Sequence, residues 1–153
     1  MNDIFQKGET TMTKQDLKKI RDAEKSISAK KLELEALRYK ASGAGAIRYD
    51  KDRVQTSEND FMTMAIADAI EIEKQIKEEE EAVESLRGEA YAIVRRMENT
   101  EYRAVIEWYY LNGISMENTA IRMNISERTA YYLKEDAIVS FESLQAVSVV
   151  CSR

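Results

Sequence analysis

The sequence predicts an all-α fold, and three observations support that expectation. Proline is absent from the 153 residues and glycine occurs only five times, so helix-breaking residues are rare. Apolar residues recur at three- and four-residue spacings through long stretches rich in Ala, Glu, Lys, Leu and Ile. The composition, 44% hydrophobic and 33% charged, is that of a folded chain. We therefore expect a long helical hairpin, which could be a coiled coil, followed by a C-terminal helix-turn-helix.

The first predicted helix follows a polar N-terminal segment. Residues 1–12 have no apolar pattern and are expected to be disordered. Thr13 is a candidate N-cap, because Asp16 follows it at the spacing of a capping box. The apolar stripe that follows consists of Leu17, Ile20, Ile27, Leu34 and Leu37. We expect this helix to end near residues 41–45, where "ASGAGA" interrupts the pattern.

A second, longer helix is predicted after a polar connector at residues 42–58. Gly88 is its one weak point and could mark a kink or a break. Residues 14–53 carry twelve basic and seven acidic side chains, whereas residues 58–90 carry three basic and eleven acidic ones. Opposite charge favours pairing, either as an antiparallel hairpin over residues 13–98 or between subunits. Two loosely associated solvated helices remain an alternative.

Residues 99–142 carry the pattern of a helix-turn-helix. Asn112-Gly113 suits a helix stop with a left-handed residue, and Ser115 suits the N-cap of a short helix from Met116 to Met123. Ser126 is then the expected cap of a helix over residues 127–140. Within the pair, Ala120 allows close helix crossing, Asn124 tolerates positive φ, and Ile125 fills the gap between the helices. Ala130 and Leu133 are expected to face the core, and residues 143–153 to form a tail.

The outward face of the last helix holds the candidate site. In a helix-turn-helix the first turns of the second helix enter the major groove, so we expect base contacts from Glu127, Arg128, Tyr131 and Tyr132. Candidates for phosphate contact are Ser115, Arg122, Ser126 and Lys134. Two alternatives stay open: the two tyrosines pack against a neighbouring helix, or the helical pair has no role in DNA binding.

The amino-acid composition argues against several other classes of protein. Histidine is absent, so the commonest general base is missing and zinc-ligand spacings do not occur. Cys151 is the single cysteine and cannot form an internal disulfide, and "KEEEEAVE" at residues 77–84 is typical of a solvated helix face. We expect neither an enzyme nor a bound cofactor or metal. No signal peptide or membrane span is evident, which favours a cytoplasmic protein.

A family resemblance adds to this reading of residues 102–138. The segment "YRAVIEWYYLNGISMENTAIRMNISERTAYYLKEDAI" resembles the sigma-factor region 4 type of helix-turn-helix. Together with a basic N-terminal helix, the "YDKDRVQTSENDFM" connector and a long charged helix, it looks like the RinA/ArpU-type transcriptional regulators of phages and integrated elements. The likeness covers roughly residues 45–141 and places Ser126, Glu127, Arg128, Tyr131 and Tyr132 at recognition-helix positions.

The resemblance implies a sequence-specific binder of double-stranded DNA that activates phage or integrated-element genes in a bacterial host, with host RNA polymerase as a further partner. Residues 101–153 carry five basic and seven acidic side chains, so one copy should bind DNA weakly. A homo-oligomer, with a dimer favoured, would double the contacts. The alternatives are a DNA-packaging protein like a small terminase subunit, or an interaction protein that binds polymerase alone.

Overall fold

The structure, a computed structural model, describes residues 11–43 and 55–151. Within these ranges the chain forms five helices: α1 (Lys14–Ala41), α2 (Gln55–Arg95), α3 (Thr100–Val105), α4 (Met116–Met123) and α5 (Glu127–Cys151). A π-helical segment, Ile106–Leu111, continues α3. The described residues contain no strand, so the predicted all-α class is confirmed. They divide into two compact units, with Lys25–Ala82 as unit 2 and the residues on either side of it as unit 1.

Unit 2 is an antiparallel pair made by parts of α1 and α2. Three ion pairs join the helices: Lys30 with Glu79, Lys31 with Glu80 at 2.9 Å, and Arg38 with Glu73. Residue numbers rise along α1 as they fall along α2, so the helices run in opposite directions within one chain. The Lys30 ammonium holds the pKa of Glu79 below its ordinary value. Opposite charges thus pair as the sequence predicts.

The apolar contact between the two helices of unit 2 is narrow. Its buried residues are Ile27, Leu34, Ala65, Ala69, Ile72 and Ile76. Two of these six are alanines, which bury little apolar surface. The ion pairs along the edge therefore contribute to the register of the hairpin as well as to its solubility.

Unit 1 has the larger core, because it gathers side chains from every helix. Its fully buried large residues are Leu17, Ile20, Val94, Met97, Val105, Ile106, Leu111, Thr119 and Phe141. Each fully buried Leu, Ile or Phe stabilises the fold by about 1.5–3 kcal/mol. The predicted division at residues 98 and 99 does not coincide with the two units, since the start of α1 and the end of α2 pack with α3–α5.

The start of α1 is fixed by two sets of hydrogen bonds. The Asp16 carboxylate accepts the Thr13 N–H at 2.9 Å, and this bond lowers the pKa of Asp16. Gln145 on α5 accepts the Met12 N–H and donates to the Met12 carbonyl at 2.7 Å. Met12, which the sequence places in the disordered segment, is buried. The rest of that prediction, residues 1–10, lies outside the described residues.

The helices differ from the predicted ones in three respects: where α2 begins, whether it breaks at Gly88, and where α5 ends. α2 begins at Gln55, inside the predicted connector, and residues 44–54 of that connector lie outside the described residues. α2 also passes through Gly88 without a break, and the helix predicted over residues 127–140 continues to Cys151. Phe141, which follows the predicted end of this helix, is buried. Among the described residues, no helix combines the length and apolar character needed to cross a membrane.

Gly88→Ala should stabilise unit 1 by about 0.5–1 kcal/mol, because glycine in a helix interior carries an entropic cost. A Cβ at this position meets no atom within 4 Å. Urea unfolding followed by the fluorescence of Trp108 measures the change. Gly43→Ala is the contrasting variant, because Gly43 has φ +71° and any side chain there is strained. Gly43 lies in unit 2, so the loss of stability in that variant is followed by circular dichroism. A destabilised Gly88→Ala chain would contradict the prediction.

Asp16→Asn should lower the free energy of unfolding near neutral pH, with a deficit that shrinks as the pH falls. The folded pKa of Asp16 lies below its ordinary 3.8, so its contribution is complete above that value and disappears as pH falls through the folded pKa. Urea titrations at pH 6 and pH 3 test this. Asp22→Asn removes an exposed carboxylate from the same helix as a control. An equal deficit at both pH values would refute the assignment.

Candidate nucleic-acid interface

α4 begins and ends at the residues that the sequence predicts. Ser115 is its N-cap, and the Ser115 hydroxyl oxygen accepts the Asn118 N–H at 3.2 Å. The buried Thr119 hydroxyl donates to the Ser115 carbonyl at 2.8 Å. At the other end Asn124 has φ 57° and ψ 43°, the left-handed conformation that asparagine tolerates better than most residues. The start and the stop of α4 are therefore both encoded locally.

The turn between α4 and α5 closes as a Schellman motif. The Ile125 N–H donates to the Ala120 carbonyl at 3.0 Å, and the Asn124 N–H donates to the Ile121 carbonyl at 3.1 Å. Ser126 then caps α5, because its hydroxyl oxygen accepts the Thr129 N–H at 3.1 Å. Three residues, 124–126, thus separate the two helices. The predicted caps at Ser115 and Ser126 and the positive φ at Asn124 are confirmed.

A small apolar cluster beneath the turn fixes how α4 and α5 pack. Met116, Ala120 and Ala130 are buried in it, with Tyr109 and Ile125 packed against them. Ala120 allows close approach of the helices, and Ala130 faces the core, as predicted for each residue. Leu133, predicted to face the core, is partly buried. The inner side of the pair is therefore packed, and only its outer side can meet another molecule.

The four predicted base-contact residues share the outer side of the first turns of α5. Glu127, Arg128, Tyr131 and Tyr132 are all exposed, with Tyr131 at 47% and Tyr132 at 61%. The Arg128 guanidinium lies beside the Tyr132 ring at 5.9 Å from its centre, with a nitrogen 3.5 Å from the phenol oxygen. Neither tyrosine is buried among the described residues, and the alternative that they pack against a neighbouring helix stays open.

The four residues predicted to contact phosphates differ in exposure and in the contacts that they make. Ser115 and Ser126 are exposed, and each uses its oxygen as a helix cap. Arg122 is exposed beside the Trp108 ring, at 6.0 Å from its centre. These three residues can meet a phosphate group without rearrangement of the backbone.

Lys134 differs from the other three because its side chain is only 13% exposed. Its ammonium lies between the rings of Tyr109 and Tyr131, at 5.3 and 5.2 Å from their centres, and 3.4 Å from a Glu135 oxygen. A cation held between two aromatic rings and a carboxylate is stabilised where it is. This position suits packing better than contact with a phosphate.

Two ionisable groups next to the turn have shifted pKa values. Burial raises the pKa of Glu135, but the ammonium groups of Lys14 and Lys134 outweigh it, so the net pKa is lowered and the side chain stays charged. Burial raises the pKa of Tyr110, whose ring meets that of Tyr109 edge to face. Tyr110 therefore stays neutral while Glu135 carries its charge.

Sequence reasoning missed two features that hold the segment before α4. Residues 106–111 form a π-helix, with the Asn112 N–H donating to the Glu107 carbonyl at 2.9 Å. Arg21 of α1 is 7% exposed and donates to the carbonyls of Tyr109 and Ile114, the second at 2.8 Å. Arg21 does lie on the apolar stripe, next to Ile20, which is the one signal the sequence offers.

The fold and the exposed face define an all-α protein with a C-terminal helix-turn-helix arrangement. Residues 45–142 match the model of a family described as proteins of unknown function, DUF1492, and the chain belongs to that family. The match extends from the connector to α5 and includes the whole candidate interface. No curated protein and no solved structure matches the chain.

Asn124→Ala should destabilise unit 1 by about 1–2 kcal/mol, because alanine resists the left-handed conformation at φ 57°. Asn124→Gly, which accepts that conformation freely, should leave stability close to that of the wild type. Urea unfolding monitored at Trp108 compares the three chains. Equal stability of the alanine and glycine variants would show that the turn relaxes to another conformation.

Proposed function

We propose that the chain is a sequence-specific DNA-binding transcriptional regulator that reads the major groove with the first turns of α5. The resemblance to RinA/ArpU-type regulators suggests that it activates phage or integrated-element genes in the cytoplasm of a bacterial host. The observation that carries the proposal is the two-sided character of the α4–α5 pair. Its inner side is packed around Ala120 and Ala130, while Arg128, Tyr131 and Tyr132 stand exposed on α5.

The exposed side chains have the chemistry that base recognition requires. An arginine near the start of a recognition helix can donate two hydrogen bonds to guanine O6 and N7. The Glu127 carboxylate can accept from the cytosine amino group, and the rings of Tyr131 and Tyr132 can contact thymine methyl groups. Arg128 is the strongest single candidate, because it is the exposed arginine in the first turn of α5 and Tyr132 lies beside its guanidinium.

Phosphate contacts would fix the helix in the groove. Arg122 supplies an exposed cation on α4, and the hydroxyl groups of Ser115 and Ser126 can donate to phosphate oxygens while their oxygens act as caps. With Lys134 packed between two rings, Arg122 and Arg128 are the two basic residues of residues 113–138 that are exposed. Few counterions would be released, so one copy should bind weakly.

The small number of cations favours two copies bound to one operator. A dimer doubles the phosphate contacts and reads two half-sites, so it binds one operator more tightly than a single copy does. Contact with host RNA polymerase would supply binding energy in a second way. Dimerisation and polymerase contact would each add binding energy to a domain that makes few DNA contacts of its own.

The proposal is tested by selecting bound duplexes from a random DNA pool with the wild-type chain and Arg128→Ala. We expect one enriched motif for the wild type, and a loss of about 1–3 kcal/mol of discrimination at one base pair in the variant. Arg128→Lys is the matched control. It keeps the charge but loses the bidentate geometry, so it should bind DNA in general yet lose the preference at that base pair.

Arg122→Ala separates phosphate contact from base reading. We expect it to weaken binding to all duplexes alike and to reduce the slope of log K against log salt by about one. Failure of the wild type to enrich any motif, at low and at physiological salt, would refute autonomous DNA reading. A large ring bound to packaging sites would instead support the terminase-like alternative, and polymerase binding without DNA binding would support the interaction protein.

A further inference from the structure

Arg21 is a buried cation that is not among the residues proposed to contact DNA. Its residue exposure is 7%, and it belongs to the same compact unit as α3–α5. No carboxylate pairs with it among the described residues. Its guanidinium is satisfied by two backbone carbonyls and by the face of Tyr109, whose ring centre is 3.7 Å away.

The two carbonyls bracket the segment that leads into α4. Tyr109 lies within the π-helix, and Ile114 directly precedes Ser115, the N-cap of α4. Between them Gly113 has φ +67°, a conformation that turns the chain sharply. Because one guanidinium nitrogen binds both carbonyls, Arg21 fixes the distance between the end of the π-helix and the start of α4.

Tyr109 connects Arg21 to the recognition helix. Its ring packs against the cluster of Met116, Ala120 and Ala130 beneath the turn. The Lys134 ammonium of α5 lies 5.3 Å from the centre of that ring. The ring therefore contacts α4 and α5 while the guanidinium covers it.

Stability alone does not explain an arginine at this position. A buried charge without a carboxylate is costly to desolvate, and an apolar side chain of similar length would often serve stability as well. What arginine adds is a rigid, planar set of donors that can bind two carbonyls while its face lies on an aromatic ring. That geometry defines one orientation of the segment before α4.

We propose that Arg21 is the positioning residue that sets the orientation of the α4–α5 pair for DNA reading. The inference rests on the proposed DNA-binding function. Its structural part, that Arg21 holds the segment before α4 in one orientation, does not depend on DNA binding. Arg21 touches no DNA. It acts through Tyr109 and Ile114, and through them places Arg128 and Tyr132 relative to the rest of unit 1.

The structural part is tested on the full chain through Trp108, the single tryptophan, which lies beside Tyr109 in the π-helix. The variants are Arg21→Met, Arg21→Lys and, as an exposed control on the same helix, Lys18→Met. We expect both Arg21 variants to retain helix content by circular dichroism but to make Trp108 more accessible to acrylamide. Lys18→Met should match the wild type. Unchanged quenching in the Arg21 variants would overturn the proposal.

Comparing the affinity for the selected site with the affinity for non-specific DNA distinguishes positioning from a simple loss of stability. We expect Arg21→Met to lower affinity for the selected site by about tenfold or more, the scale of one lost hydrogen bond to a charged group, and to leave non-specific affinity unchanged. An equal loss for both kinds of DNA would overturn positioning, because a smaller folded fraction lowers both alike. Should Arg21→Met fail to fold, Arg21→Lys provides the same comparison.

The two proposals fail in different ways. If the wild type selects no DNA motif, the proposed function falls, while the Trp108 measurement still decides whether Arg21 positions the segment before α4. If the wild type selects a motif and Arg21→Lys selects it equally well with Trp108 unchanged, DNA reading stands and the role of Arg21 falls.

Discussion

The structure of unit 1 depends on the burial of short helices by long ones. α3 has six residues and α4 has eight, lengths at which an isolated helix is unstable in water. They persist because both pack against the long helix α5, in a unit that also buries Leu17 and Ile20 of α1 and Val94 of α2. The candidate DNA-reading surface is therefore the outer layer of a larger unit, and its geometry is set by residues far away in sequence.

Acidity and DNA binding are compatible in this chain because the charges are segregated. The acidic side chains of α2 pair with basic ones of α1 in unit 2, where three ion pairs lie along the helices. Near the turn, Glu135 is paired with Lys14 and Lys134, while Arg122 and Arg128 are exposed. Net charge describes the whole chain, whereas recognition depends on the few charges that a duplex can reach.

The sequence predicted the parts of the fold that depend on neighbouring residues. The caps at Ser115 and Ser126, the left-handed Asn124 and the limits of α4 all follow from local backbone chemistry. It could not predict the burial of Arg21 or the enclosure of Lys134, because each depends on a ring or a carbonyl brought from a distant part of the chain. For the candidate site, the sequence predicted the exposed face of α5 but not the buried Arg21 beneath the segment that precedes α4.

The division into two units has a consequence for how the chain unfolds. Unit 2 has a narrow, partly alanine core with ion pairs along its edge, so its stability should respond to salt more than that of unit 1, whose apolar core is larger. Two units with different sensitivities need not melt together, and a single midpoint would then describe neither of them. Ellipticity sums both units, whereas the one tryptophan reports on unit 1 alone. The two signals together would therefore show whether the units unfold in one transition or in two.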